Sequence, residues 1–261
     1  MGKGQKPLSG IRVLVTRARR QAAEFSRLLR QQGATVVEIP LIEIVPPRSF
    51  RRLDKALKNL SRYQWLILTS VNGVEATLNR LRRWRIFPAK LKHLKIAAIG
   101  PATKKALTKA GGRVAITPPE YVAEAVVAAL KDKVKNKRVL LIRAAVARDV
   151  IPRELRRAGA ELEMVAAYET KLPANSATRL RKLLHDKENR PRIITFTSSS
   201  TVHHFVRASR GANLNGIALA SIGPVTSATL RSYGLAPAIE AKSFTVRDLA
   251  QAIVQWGRSN V

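Results

Sequence analysis

A chain of 261 residues fits two domains of ordinary size better than one, and 46% hydrophobic content lets each bury a core. No run of about 18 apolar residues occurs, so no membrane-spanning helix is expected, and the absence of cysteine excludes disulfides and thiolate catalysis and fits a reducing, cytoplasmic setting. Lys+Arg 48 against Asp+Glu 17 leaves a net charge of +31, more than solubility needs, which calls for an anionic partner.

The first ten residues, MGKGQKPLSG, lack the apolar stretch of a secretory signal and read as a short, basic, disordered tail. A strand is expected over residues 11–15, followed by a helix whose Ala22, Phe25, Leu28 and Leu29 share one face, closed by Gly33. Residues 36–39 form the next strand and run into an extended, proline-ended stretch over 38–47. Strands follow at 65–69, 96–99 and 114–117, the last two separated by a helix ending near Gly111. Val122, Ala125, Val126, Ala129 and Leu130 fall on one helical face, and strands at 139–142 and 162–165 flank a helix that Gly159 ends. A second extended stretch, 163–173, carries Tyr168 and also ends in proline. Strands at 193–197, 217–222 and 238–239 come next, with Gly234 between the last two, and Val246, Leu249, Ala250, Ile253 and Val254 line a final helix. Strands apolar on both faces, alternating with amphipathic helices, specify an α/β protein with parallel sheets covered on both sides.

The chain is also written twice. RVLVTR from Arg12 and GATVVEI from Gly33 return as RVLLIR from Arg138 and GAELEMV from Gly159, a shift of 126 residues in both cases. WLILTSVNGV from Trp65 returns as IITFTSSSTV from Ile193, and Gly100-Pro101-Ala102-Thr103 returns as Gly223-Pro224-Val225-Thr226. Two similar modules imply a ligand held in a cleft between similar surfaces.

Each repeated turn joins a strand to a helix start, where free backbone N–H groups attract an anion. Thr69, Ser70, Thr197, Ser198, Ser199 and Ser200 add hydroxyls there, as do Thr103 and Thr226; helix capping uses these same residue types. Arg17 and Arg143 hold equivalent places after the first strand of each module, where a guanidinium could fork onto a carboxylate or phosphate or form a surface ion pair. Tyr168, alone in an extended crossing, could donate a proton or pack an interface. No GxGxxG opens a helix and no GxxxxGK[ST] occurs, so nucleotide binding lacks its usual mark. His93, His185, His203 and His204 lack metal-ligand spacing with carboxylates, so a metal site is not expected. The basic residues, such as Arg80, Arg82, Arg83 and Arg85 or Lys131, Lys133, Lys135 and Lys137, are spread along the chain and read mainly as solvated helix faces.

Taken in order, VLVTR at 13–17, WLILTS at 65–70, AAIGPAT at 97–103, LIR and ARDVIP within 141–152, Tyr168, FTSSSTV at 196–202 and SIGPVT at 221–226 resemble the uroporphyrinogen-III synthase family over nearly the whole chain. The resemblance implies two similar, flavodoxin-like parallel-sheet domains joined by a two-stranded linker. Residues 1–38 with 172–261 would form one domain, 46–164 the other, and 39–45 with 165–171 the linker strands. It further implies cofactor-free closure of the linear tetrapyrrole hydroxymethylbilane to uroporphyrinogen III, with loss of water and inversion of the last ring. Tyr168 would assist departure of the hydroxyl, while Thr16, Arg17, Thr69, Ser70, Gly100, Thr103, Arg143, Arg148, Thr197, Ser198, Ser199, Gly223 and Thr226 would hold the substrate's carboxylates. A monomer without a membrane partner is expected. Two other readings stay open on the residues alone: a nucleic-acid-associated protein on the same scaffold, in keeping with the charge, and a non-catalytic two-domain receptor for an acidic ligand.

Overall fold

The computed structural model describes residues 6–260. In chain order these form β1 (Arg12–Val15), α1 (Arg19–Gln31), β2 (Thr35–Glu38), β3 (Glu43–Val45), α2 (Arg51–Lys58), β4 (Trp65–Leu68), α3 (Val71–Arg83), β5 (Lys95–Ala98), α4 (Pro101–Lys109), β6 (Val114–Ile116) and α5 (Ala123–Leu130). They continue as β7 (Arg138–Ala144), α6 (Val150–Arg157), β8 (Glu161–Lys171), α7 (Ser176–His185), β9 (Ile193–Phe196), α8 (Ser199–Ala208), β10 (Ala218–Ser221), α9 (Pro224–Ser232), β11 (Ile239–Glu240) and α10 (Val246–Asn260). The chain divides into two compact units, residues 1–43 with 171–261, and residues 44–170.

The first unit holds a five-stranded sheet in the order β2-β1-β9-β10-β11, and every neighbouring pair is parallel. Because successive side chains of a strand point to opposite faces, Val13 and Val15 pack with α1 and α10, whereas Leu14, Ile194 and Phe196 pack with α7, α8 and α9. Phe25 and Leu29 of α1 are fully buried, as their helical spacing requires.

The second unit holds a six-stranded sheet ordered β3-β8-β7-β4-β5-β6. Leu66, Leu68, Leu140 and Ile142 face α2, α3 and α4; Trp65, Ile67, Val139 and Leu141 face α5 and α6. Setting β7, β8, β4, β5 and β6 beside β1, β2, β9, β10 and β11 gives the same strand order in both units. The repeat is therefore real but exchanged: the first strands of the early copy complete a sheet built by the late copy. In each sheet the chain reverses its winding beside one central pair, β1 with β9 and β7 with β4, the place where open α/β sheets bind ligands at their carboxyl edge.

Two expectations need correction. The segment expected to be a disordered tail lies partly outside the described residues, but Leu8 is fully buried in the core, its N–H donating to the Gln32 carbonyl. Gly257 of α10 makes room for it, since a Cβ there would stand 2.7 Å from Leu8 Cδ2. A lone leucine in a polar run carries no periodicity, which is why pattern reading missed it. The strand expected over 162–165 runs on to Lys171, staying paired with β7 through a register shift at Arg143/Ala144. Tyr168 thus lies on a sheet strand, opposite Ala144.

Candidate active site

Parallel strands deliver the repeated turns to one edge in each unit. In the second unit β4 ends at Leu68, so Thr69 and Ser70 stand at the carboxyl edge, and Ser70 becomes the N-cap of α3, accepting a hydrogen bond from the Gly73 N–H at 3.1 Å. The same Ser70 Oγ lies 3.0 Å from the Tyr168 hydroxyl. Capping and a tyrosine contact thus share one oxygen, an acceptor toward the helix and a partner to the phenol.

Arg143, at the end of β7, lies on the same edge but offers no free guanidinium. It is 6% exposed, donates to Asp149 Oδ1 at 2.6 Å and to the Arg148 carbonyl at 2.8 Å, and so ties down the loop that follows its own strand. The fork expected to grip a ligand carboxylate is held by a carboxylate of the protein six residues on. Arg148 points away to Glu124, at 2.9 and 3.3 Å, and is half-exposed.

Equivalent positions in the first unit behave differently. Arg17 follows β1, and its Nε is buried with no hydrogen-bond partner among the described residues. Burial lowers the affinity of its guanidinium for a proton, and the nearby Glu24 opposes this. Thr16, expected to face the ligand, is fully buried and donates its hydroxyl to the Thr195 carbonyl, while Thr195 returns a bond to the Leu14 carbonyl. It stitches β1 to β9 and has no surface to offer. Ser198 caps α8, accepting from the Thr201 N–H and pairing with the Thr201 hydroxyl at 2.8 Å. Ser199 pairs with Thr229 at 2.7 Å, and Thr229 donates a hydrogen bond to the Val225 carbonyl. Thr197 is partly buried beside them.

Gly100 and Gly223 precede α4 and α9, each followed by a proline at the first helical position, which costs no hydrogen bond there. Thr103 and Thr226, at 3% and 4% exposure, sit in the first turns of those helices. Sequence reading missed the residues over these turns. The Tyr121 ring lies about Gly100, and the Phe244 ring covers Gly223 so closely that a Cβ would stand 2.4 Å from its Cδ1. Tyr121 and Phe244 keep the 123-residue spacing of the Gly-Pro turns themselves, the signal that could have found them. Glu240 also went unnoticed; it accepts a hydrogen bond from Ser227 in the first turn of α9.

Among the described residues no group of three or more His, Asp or Glu side chains is placed to hold a metal ion, and no helix is long and apolar enough to cross a membrane. Among the described residues the carboxyl edge of the second unit thus carries hydroxyls, helix-start amides and the phenols of Tyr168 and Tyr121, and that of the first unit carries hydroxyls, helix-start amides and the unpartnered Nε of Arg17.

Comparison with known proteins gives this edge a context. The family model described as Uroporphyrinogen-III synthase HemD matches residues 23–251. A protein named uroporphyrinogen-III synthase from Synechococcus elongatus is 35% identical, covering 97% of this chain and 98% of its own length. Another of that name from Chlorobaculum parvum is 31% identical over 93% of this chain and 98% of its own. Among solved structures, a mutant uroporphyrinogen III synthase from Thermus thermophilus shares the fold with a TM-score of 0.72 at 16% identity, covering 96% of this chain and 100% of that one.

Proposed function

The chain belongs to the uroporphyrinogen-III synthase family, and from that premise we propose how its own residues carry the reaction. It is a cyclising hydro-lyase of tetrapyrrole biosynthesis that closes hydroxymethylbilane to uroporphyrinogen III, losing water and inverting the last ring.

The linear substrate is flexible and carries many acetate and propionate groups. Fixing its carboxylates selects one folded shape, and such preorganisation supplies a large part of a cyclisation barrier. In this reading Arg17 is the guanidinium that takes a substrate carboxylate, which would satisfy its unpaired Nε and offset the cost of its burial. The amides that open α3, α4, α8 and α9 take others, with Thr69, Thr103, Thr197 and Thr226 beside them. Arg143 acts at one remove, ordering the loop over 144–149 through Asp149 and the Arg148 carbonyl.

Tyr168 is the proton donor. The C–O bond to the hydroxymethyl group breaks as the pyrrole nitrogen supplies electrons, and the phenol proton goes to the departing oxygen, which leaves as water. Attack on the resulting cation by the already substituted α-carbon of the last ring forms a spiro centre, the bond from that carbon to the neighbouring ring's methylene breaks, and the freed methylene is taken up by the last ring's other α-carbon. The ring is thereby inverted, and the proton lost from that carbon restores the phenol. Ser70, 3.0 Å from the hydroxyl, orients it and bears part of the charge while the proton is away. That contact, at the carboxyl edge beside the reversal in strand order, is the observation that carries the mechanism. The reading also takes the protein as a monomer working in a reducing cytoplasm, supported by its cysteine-free composition.

Incubating the chain with hydroxymethylbilane and resolving the uroporphyrinogen isomers tests the function. The inverted isomer is expected; only the uninverted ring, as closure without guidance gives, would reject it.

A further inference from the structure

Within residues 55–95 stand ten Lys and Arg against a single acid, Glu75, and two aromatic side chains left largely in water, Trp84 at 41% and Phe87 at 74% exposure. Topology gathers these charges at one place. α2 runs toward the start of β4, and α3 runs from the end of β4 toward the start of β5. Their last turns therefore meet at the amino edge of the second unit's sheet, opposite the edge that carries Ser70 and Tyr168. Lys58, Arg62, Arg82, Arg83, Lys90 and Lys92 are all exposed, and Lys95 begins β5 beside them.

Cations in a last helical turn complement the helix dipole, which accounts for Arg82 and Arg83. It does not account for Arg62, Lys90, Lys92 and Lys95, which lie outside α-helices. The carboxylates nearby are already engaged: Asp54 by Arg80, Glu161 by Arg138 and Glu163 by Tyr63. Burial works against ionisation of Asp54, yet bonds from Arg80 and Trp84 outweigh it and hold the carboxyl below its usual range. Lys58 feels the Asp54 carboxylate, but Arg62, Arg82, Arg83, Lys90, Lys92 and Lys95 have no ion pair among the described residues.

We infer that this edge is an interaction surface for an anionic lipid bilayer, with Phe87 as the side chain that enters the headgroup boundary and the surrounding Lys and Arg facing the headgroups. Exposed aromatic groups within a basic cluster fit that boundary, where one part of the surface is apolar and the rest is wet and charged. Single-stranded nucleic acid, the other polyanion such a face could take, needs a ring face on which a base stacks. Here Lys58 Nζ covers the Trp84 ring at 3.4 Å and Asp54 holds its indole N–H, which leaves Phe87 as a single open ring where stacking of successive bases uses several. Among the described residues no helix could cross the bilayer, so attachment is peripheral and reversible.

Sedimentation of the full chain with phosphatidylcholine vesicles, with and without phosphatidylserine, tests the proposal. Binding only to the anionic vesicles, weakened by salt, is expected. The combined variant Arg82→Gln/Arg83→Gln/Lys92→Gln should bind roughly a hundredfold more weakly, from the usual contribution of three cations near such a surface. Phe87→Ser should lose about tenfold, by loss of apolar burial. Both should keep wild-type turnover, since neither touches the carboxyl edge; the triple variant should melt only slightly lower, by the loss of two cations that complement the α3 dipole. Equal binding to neutral vesicles, undiminished binding by the triple variant, or displacement of the protein from vesicles by a single-stranded oligonucleotide that Phe87→Ser binds equally well would each overturn it.

Discussion

The carboxyl edges of the two units are built from repeated segments, yet they have divided their labour. In the first unit the hydroxyls are spent on the protein itself, Thr16 on Thr195, Ser198 on Thr201 and Ser199 on Thr229, while Arg17 keeps a buried, unpaired Nε. In the second unit it is the guanidinium that is spent, Arg143 on Asp149 and the Arg148 carbonyl, while Ser70 meets the hydroxyl of Tyr168. Duplication preserved the backbone that makes a helix start and left the side chains free to separate. The proposed mechanism follows that division: the guanidinium that takes a carboxylate belongs to the first unit's edge and proton transfer to the second's.

Tyr168→Phe strikes the division hardest. If the second unit's edge carries proton donation, turnover should fall about a hundredfold with KM changed little, as loss of a general acid implies. Full activity in this variant would remove the chemical role of that edge. Next comes the arginine pair. Arg17→Gln should raise KM about tenfold while leaving the melting temperature unchanged or slightly higher, because a desolvated cation whose Nε has no hydrogen-bond partner among the described residues is removed, at the loss of only the opposing attraction to Glu24. Arg143→Gln should do the reverse, costing about 2 kcal/mol of stability through two lost charge-assisted hydrogen bonds, with KM affected only as far as the loop loosens. Identical phenotypes for the two substitutions would mean that the asymmetry has no functional content.

Much of this architecture is legible from pattern alone, because both faces of each central strand are buried and both sides of the sheet are covered. Trp65-Leu66-Ile67-Leu68 and its partner Ile193-Ile194-Thr195-Phe196 can hardly be anything but interior parallel strands. The full length of β8 was not legible, since its alternating, half-buried residues match an extended crossing as well as a sheet strand. The three residues of β3 were hidden in a proline-flanked stretch for a related reason. At the site, residue types were legible and partnerships were not. Nothing in the sequence around Arg143 shows that its chain turns back to place Asp149 on the guanidinium, and nothing around Thr16 shows that its hydroxyl is aimed inward at β9. Chain order reveals which groups reach an edge; the path of each loop decides which remain free.

The glycines sharpen the comparison at a smaller scale. Gly100 has φ +83°, so Gly100→Ala pays for a backbone that side chains rarely adopt, although Tyr121 at 3.5 Å leaves ordinary room for the methyl group. Gly223 has an extended backbone and suffers instead from contact, its new Cβ meeting Phe244 at 2.4 Å, and Phe244 is itself held at φ +56°. Both substitutions should cost about 1–2 kcal/mol in denaturant unfolding, by strain in one case and overpacking in the other. Phe244→Ala should rescue Gly223→Ala, whereas Tyr121→Ala should not rescue Gly100→Ala.

The smallest effect separates capping from chemistry. Ser70→Ala and Ser198→Ala each delete an N-cap that accepts a hydrogen bond from the third residue beyond it, so each should cost about 1 kcal/mol of stability. Ser70 also touches Tyr168, which Ser198 does not match with any phenol. Turnover should therefore drop several-fold in Ser70→Ala and hold in Ser198→Ala, at equal loss of stability. Placing Tyr168→Phe in the Ser70→Ala background completes the measurement. A serine that acts only by orienting the phenol has nothing left to orient, so the double variant should be no slower than Tyr168→Phe alone. Additive losses would instead mean that Ser70 contacts the substrate on its own account.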